Sequence, residues 1–290
     1  MILIPLVLSA ASKPKVTLQV LGSGGPEMGD GRASSAYLVW VDGKARVLVD
    51  FGGGASLRFE QSKAKIADLD LVLLTHLHID HTADLPALLK ASFFTSRTRD
   101  LPIFGPYGNR AMPATEAFVD RLFKNGVGAW QYMGDFLDGS GTFRLVPTDV
   151  AFSKEVKRIY ENRGISVDVV SVHHGPIPAV AYRVNVAGRH IVFSGDMNGA
   201  YHTLEHLAKG ADVLVAHNAV PKGASGVAAQ LHMTPDTIGK IAKSAAPKSL
   251  ILSHRMLRTT GKELETLSEI RKYYKGKVKF ADDFDRYNVR

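Results

Sequence analysis

The chain has 290 residues, 45% of them hydrophobic, a formal net charge of +8 and no cysteine. That length can bury a substantial core, as one large domain or two modest ones. Without cysteine there are no disulfides and no thiolate metal sites, so any metal must be held by His, Asp or Glu; the positive balance suits anionic substrates or a mild attraction to nucleic acid, and ordinary surface lysines give the same figure.

The N-terminus reads MILIPLVLSAASKPK. Residues 2–8 are apolar and Ser9, Ala10, Ala11 and Ser12 are small, which matches the end of a secretory signal without its usual basic start. Residues 1–15 are therefore expected to be a signal remnant or N-terminal extension, and 16–290 one domain. A periplasmic or secreted location is favoured over a cytoplasmic one, and an ordered first strand is the alternative. Elsewhere no run reaches the roughly 18 apolar residues that span a bilayer, so no stable membrane insertion is expected.

KVTLQVLGSGG (15–25) predicts a strand running into a glycine-rich turn. SAYLVWVDG (35–43) and ARVLVDFGGG (45–54) predict a hairpin about Asp42-Gly43. LDLVLLT (69–75) reads as a buried strand, TADLPALLKASFF (82–94) as a helix, LPIFGP (101–106) as a short strand and ATEAFVDRLF (114–123) as a helix. ISVDVVSVHH (165–174), AVAYRVNVAGRHIVFSGD (179–196) and ADVLVAH (211–217) read as strands. TPDTIGKIAKSA (234–245) predicts a helix with Thr234 as N-cap and Pro235 at its first position. SLILSH (249–254) is a strand, GKELETLSEIRKYY (261–274) a helix and KVKFADD (277–283) a last strand. Strands with helices between them argue for sheets covered by helices.

Four of these buried-looking strands end in ligand-type side chains: His76, the pair His173 and His174, Asp196, and His254. Ligand sites in sheet proteins commonly lie at such strand ends. In THLHIDH, His76 and His78 are two apart in an extended segment and point the same way, so they can grip one ion. Asp80 and His81 follow at the turn into a helix and can face a second. Histidine and carboxylate without thiolate suit Zn²⁺, with Mn²⁺ or Fe as alternatives. Two such ions can share a water, make it nucleophilic near neutral pH and clamp an oxyanion.

THLHIDH, HHGPIPAVAYRV, FSGD and LSHRM resemble the successive motifs of the metallo-β-lactamase superfamily, over roughly residues 16–290. The resemblance is closest to the branch holding ribonuclease Z and the arylsulfatase-like hydrolases, and LGSGGPEMGDGRASSAYLV fits that branch too. It implies an α/β (α+β) fold, the four-layer αββα sandwich. It also implies two divalent ions: His76, His78 and His174 on the first, Asp80, His81 and His254 on the second, and Asp196 bridging. His174 is preferred to its neighbour His173 because the family histidine directly precedes Gly. Asp50 resembles the family aspartate that orients a ligand histidine, and a turn residue before glycines is its alternative. His232 matches the H-x-T motif of the ribonuclease Z branch. The catalytic residues so implied are Asp80, Asp196 and His232, the last protonating the leaving group.

The expected reaction is hydrolysis of a small phosphate or sulfate ester, arylsulfatase-like or phosphodiesterase-like. Trp130, Tyr132 and Phe136 would wall a pocket for an aromatic leaving group unless they are core residues, and Arg255 and Arg258 would attract the anion unless they are solvated. Nucleic acid ranks second, as a ribonuclease Z-like endoribonuclease. The chain lacks a long Gly/Pro-rich arm between DHTADLP and HHG, and His217 stands where those relatives often carry Glu. A noncatalytic metal- or ligand-binding relative is the third reading, and β-lactamase activity a minor fourth. His190, His202, His206 and His217 read as structural or surface residues. A homodimer is left open.

Overall fold

The computed structural model describes residues 13–290. Residues 1–12, most of the expected signal remnant, fall outside the described residues. The chain runs β1 (Val16–Gly22), β2 (Ala36–Val41), β3 (Lys44–Phe51), α1 (Ala55–Gln61), β4 (Leu71–Leu73), α2 (Ile79–Thr82), α3 (Leu85–Ser92), β5 (Leu101–Pro106), α4 (Thr115–Phe123), α5 (Asp135–Asp138), β6 (Leu145–Val150) and β7 (Lys157–Asn162). It continues with β8 (Ile165–His174), β9 (Ile177–Val186), β10 (Arg189–Phe193), α6 (Leu204–Leu207), β11 (Val213–His217), α7 (Gly226–Leu231), α8 (Pro235–Ala245), β12 (Ser249–Ser253), α9 (Glu263–Arg271), β13 (Lys277–Phe280) and β14 (Arg286–Val289).

The strands form two seven-stranded sheets, ordered β14-β1-β2-β3-β4-β5-β6 and β13-β12-β11-β10-β9-β8-β7. Period-two alternation sorts their side chains into three apolar layers. Along β2, Tyr37 and Val39 face the space between the sheets, while Leu38 and Trp40 face the helices. The inter-sheet core joins Tyr37, Val47, Val49 and Leu73 to Val169, Tyr182, Phe193 and Val215. A second cluster packs α1, α3 and α4 on the outer face of the first sheet, and a third packs α6, α8 and α9 on the second. The result is the four-layer αββα sandwich. Tyr182 pins the two sheets together: its hydroxyl, on β9, lies 3.0 Å from the Leu74 carbonyl and 3.2 Å from that of Phe104.

The Asp42-Gly43 turn has φ of 48° and 76°, as a two-residue hairpin requires. The predicted strand over 179–196 is two strands, because Ala187 and Gly188 turn with φ of 49° and 70°. Thr234 does hold the N-cap position of α8, but its hydroxyl bonds the Asp236 carboxylate at 2.5 Å rather than a free backbone N–H.

Candidate metal centre

Six strand ends meet at one rim of the sandwich. Asp50 is the last residue but one of β3, β4 leads to His76, β8 ends at His174, β10 leads to Asp196, β11 ends at His217, and β12 leads to His254. Asp50 and His254 hold left-handed backbone, φ 54° and 53°, which side chains other than glycine adopt only at a cost. Such strain collects where the fold must aim a particular side chain.

In the first cluster the Nε2 atom of His76 lies 3.0 Å from Nδ1 of His78, and His174 Nε2 lies 3.4 Å from the same atom. Asp196 Oδ2 is 3.9 Å from His76 Nε2 and 3.8 Å from His174 Nε2. Burial first of all, and then the neighbouring imidazoles, depress the His76 pKa well below its ordinary value; burial also depresses His78 and His174. These rings are therefore neutral at pH 7 and offer lone pairs. His174 Nδ1 donates to the Leu231 carbonyl at 2.8 Å, which fixes the tautomer and turns Nε2 inward. His173, one residue earlier, faces the other way and packs on Tyr201.

In the second cluster Asp80 Oδ2 lies 3.1 Å from His254 Nε2 and 3.4 Å from His81 Nε2. Asp196 Oδ2 is 3.4 Å from His254 Nε2 and 3.8 Å from His81 Nε2. Asp50 accepts from the Thr75 N–H at 2.7 Å, the Thr75 hydroxyl at 2.9 Å and His81 Nδ1 at 2.8 Å. It therefore orients His81, so Nε2 faces the cluster. Burial disfavours a charged His81, yet the Asp80 and Asp50 carboxylates outweigh it and raise its pKa well above the ordinary value; His254 is raised as well, burial being outweighed by Asp196 and Asp80. Burial alone would raise Asp80 and Asp196, but the surrounding histidines hold both well below the usual carboxylate range. The pocket thus calls for positive charge. Among the described residues His81 Nε2 is buried with no hydrogen-bond partner, an orphaned nitrogen that a metal ion would satisfy. Imidazoles converging on carboxylates fit divalent metal ions.

His232 closes the rim, its Nδ1 atom 3.6 Å from Asp196 Oδ2 and, among the described residues, without a hydrogen-bond partner. Burial, first among its causes, pushes its pKa down to about 3. His217 is neither a surface residue nor remote from the site: it is 2% exposed, and its Nδ1 donates to Asp196 Oδ1 at 2.7 Å. Its Nε2 meets the Tyr37 hydroxyl at 3.1 Å, and Ser253 Oγ lies 2.9 Å beyond. His217 also lies within 4.8 Å of the atoms offered by His81, Asp196 and His254. Sequence reasoning missed it, although ADVLVAH ends in a ligand-type residue just as the other buried strands do.

Two further expectations need correction. Phe136 is buried in the core beneath the first sheet, Trp130 packs on Phe123, and Tyr132 lies by Lys90; these partners belong to the helical layer. Arg255 is 5% exposed and paired with Glu263 and Asp282, so it is spent on structure. Arg258 is half-buried, bonded to the Ala219 carbonyl, and close enough to His232 to disfavour its charged form. His190 bonds Asn185, and His202 is exposed beside Glu205.

The model of the metallo-beta-lactamase superfamily matches residues 29–225. A protein named ribonuclease Z from Mycobacterium sp. (strain KMS) is 28% identical over 287 residues, spanning 94% of this chain and 96% of that protein. The ribonuclease Z of Mycobacterium bovis (strain BCG / Pasteur 1173P2) is 30% identical over 210 residues, 71% of this chain and 70% of its own. Among solved structures, human tRNase Z, short form (ELAC1), superposes with a TM-score of 0.72 at 22% identity, covering 94% of this chain and 99% of that one. The metallo-beta-lactamase fold protein YhfI from Bacillus subtilis gives 0.73 at 21%, covering 95% and 100%.

Proposed function

Because the chain belongs to the metallo-beta-lactamase superfamily and is a metal-dependent hydrolase of ester bonds, we propose that it cleaves phosphodiester bonds and that its substrate is RNA. The observation that carries this reading is the likeness to ribonuclease Z over nearly the full length of both chains. The likeness supports the endoribonuclease alternative over the arylsulfatase-like reading.

His76, His78 and His174 would hold one divalent ion, and Asp80, His81 and His254 the other, with Asp196 contributing to both; zinc is the ion we assign. Ions so held lower the pKa of water and neutralise charge developing on a phosphate. The chain's own groups set the frame. Asp50 and the Leu231 carbonyl fix the tautomers of His81 and His174. His217 occupies Asp196 Oδ1 and so leaves Oδ2 to face both clusters. His232 is neutral in this state, and an arriving phosphate favours its charged form, so it takes up a proton with the substrate and delivers it to the leaving oxygen.

The test is hydrolysis by zinc-loaded protein of a precursor tRNA beside p-nitrophenyl phosphodiester, sulfate and carboxylic esters. The RNA is expected to be cleaved, with loss on chelation and return on adding Zn²⁺. Turnover of the sulfate ester with no action on RNA contradicts the reading. His232→Ala is expected to lower kcat by about 10²-fold or more while metal content stays at the wild-type level.

A further inference from the structure

Near the carboxyl end of β8, four chain segments each bring one ring to a common row. Tyr107 follows β5, Phe152 follows β6, His173 precedes His174 on β8, and Tyr201 lies in the loop after Asp196. Tyr107 and Phe152 meet edge to face at 5.7 Å, Phe152 and Tyr201 at 5.9 Å, and Tyr201 and His173 at 5.0 Å. The Lys154 ammonium sits 4.4 Å from the centre of the Tyr201 ring.

Hydrogen bonds join the loops that carry Tyr107 and Tyr201 to the end of β8 and the turn after it. The Asn198 N–H donates to the His173 carbonyl at 2.9 Å, and Asn109 Nδ2 donates to the Pro176 carbonyl at 2.8 Å. Phe152 nevertheless keeps 47% of its surface in water. A ring placed only to fill the core would be covered. An exposed aromatic ring, with an ammonium over the face of its neighbour, suits a base and the backbone that joins it to the next.

We propose that Tyr107, Phe152 and Tyr201, flanked by Lys154, form a stacking subsite that takes a nucleobase of the substrate next to the candidate metal centre. The proposal rests on the RNA reading. Stacking needs no base-specific hydrogen bond, so the subsite tolerates any base, and the Lys154 ammonium pairs with an adjoining phosphate.

The experiment measures binding of a phosphorothioate RNA hexamer, which resists hydrolysis, to the zinc-loaded full chain by fluorescence anisotropy. The same hexamer is used with one abasic nucleotide at each position in turn. Phe152→Ala is expected to weaken the intact hexamer about tenfold, and Phe152→Trp to restore it. One abasic position should weaken wild-type binding by a like factor and leave Phe152→Ala binding unaltered. Equal abasic losses in wild type and Phe152→Ala at every position, or no binding by the wild type, overturn the subsite. Cleavage of precursor tRNA, followed in parallel, judges the enzymatic reading separately. Coupling without cleavage keeps the subsite and removes the ribonuclease, and cleavage without coupling does the reverse.

Discussion

Asp196 has two carboxylate oxygens and two tasks. Oδ2 faces both histidine clusters, while Oδ1 is held by His217, whose far nitrogen rests on Tyr37. We expect His217→Phe to free the carboxylate to rotate and to weaken the metal centre by roughly 10–100-fold in ion affinity, measured by competition with a chromophoric chelator. His217→Asn, which retains an N–H donor, should recover part of that loss. Unaltered affinity in His217→Phe would show that Asp196 needs no such support. His217 also makes stability depend on pH. Burial lowers its pKa to about 4, so between there and its ordinary value of 6.5 the unfolded chain binds more protons than the folded one. Stability is therefore present above 6.5 and is lost as the pH falls toward 4, by about 3 kcal/mol for this one ring. Thermal unfolding of the metal-free protein should show that decline, and His217→Phe should flatten part of it. The other ligand-type residues were legible because motif spacing marks them. His217 was not, because only the fold brings β11 beside Asp196.

Among the elements, the short turn at α2 carries Asp80 and His81 and has almost no secondary structure of its own to hold it. It rests on the strand end after β3. A Cβ on Gly52 would lie 2.0 Å from the Asp80 carbonyl oxygen and 2.6 Å from Ser34 Cβ. Gly52→Ala should therefore push the turn outward, cost about 1–3 kcal/mol and reduce metal content to about one ion per chain. Urea unfolding and elemental analysis check the two parts, and full metal content at wild-type stability would contradict this account. Elements with a strong apolar period were visible in the sequence: β5 and β8 have the bounds read from it. β7, KRIYEN, was not, since it is an edge strand with no buried residue, its charges guarding an open edge. β14 escaped as well, because RYNV shows little apolar period and gains its place by pairing with β1 across nearly the whole length of the chain.

On the scale of the whole molecule, two sheets share one core and place all the candidate ligands at a single rim, on ten or so residues drawn from 50 to 254. That convergence is what strand order and burial imply and what no local pattern states. The same scale governs substrate choice. A net charge of +8 alone did not distinguish anionic esters from RNA; the proposal of RNA rests on likeness along the whole chain. If so, affinity for RNA should fall steeply with salt, with a log–log slope near −0.7 for each phosphate neutralised, and a flat profile would point to a small ester instead. The most direct measurement is anomalous diffraction from crystals of the zinc-loaded protein. The account predicts two peaks, one among His76, His78, His174 and Asp196 and the other among Asp80, His81, His254 and Asp196. No peak at this rim, or a single ion held by His217 in place of Asp80, would contradict it.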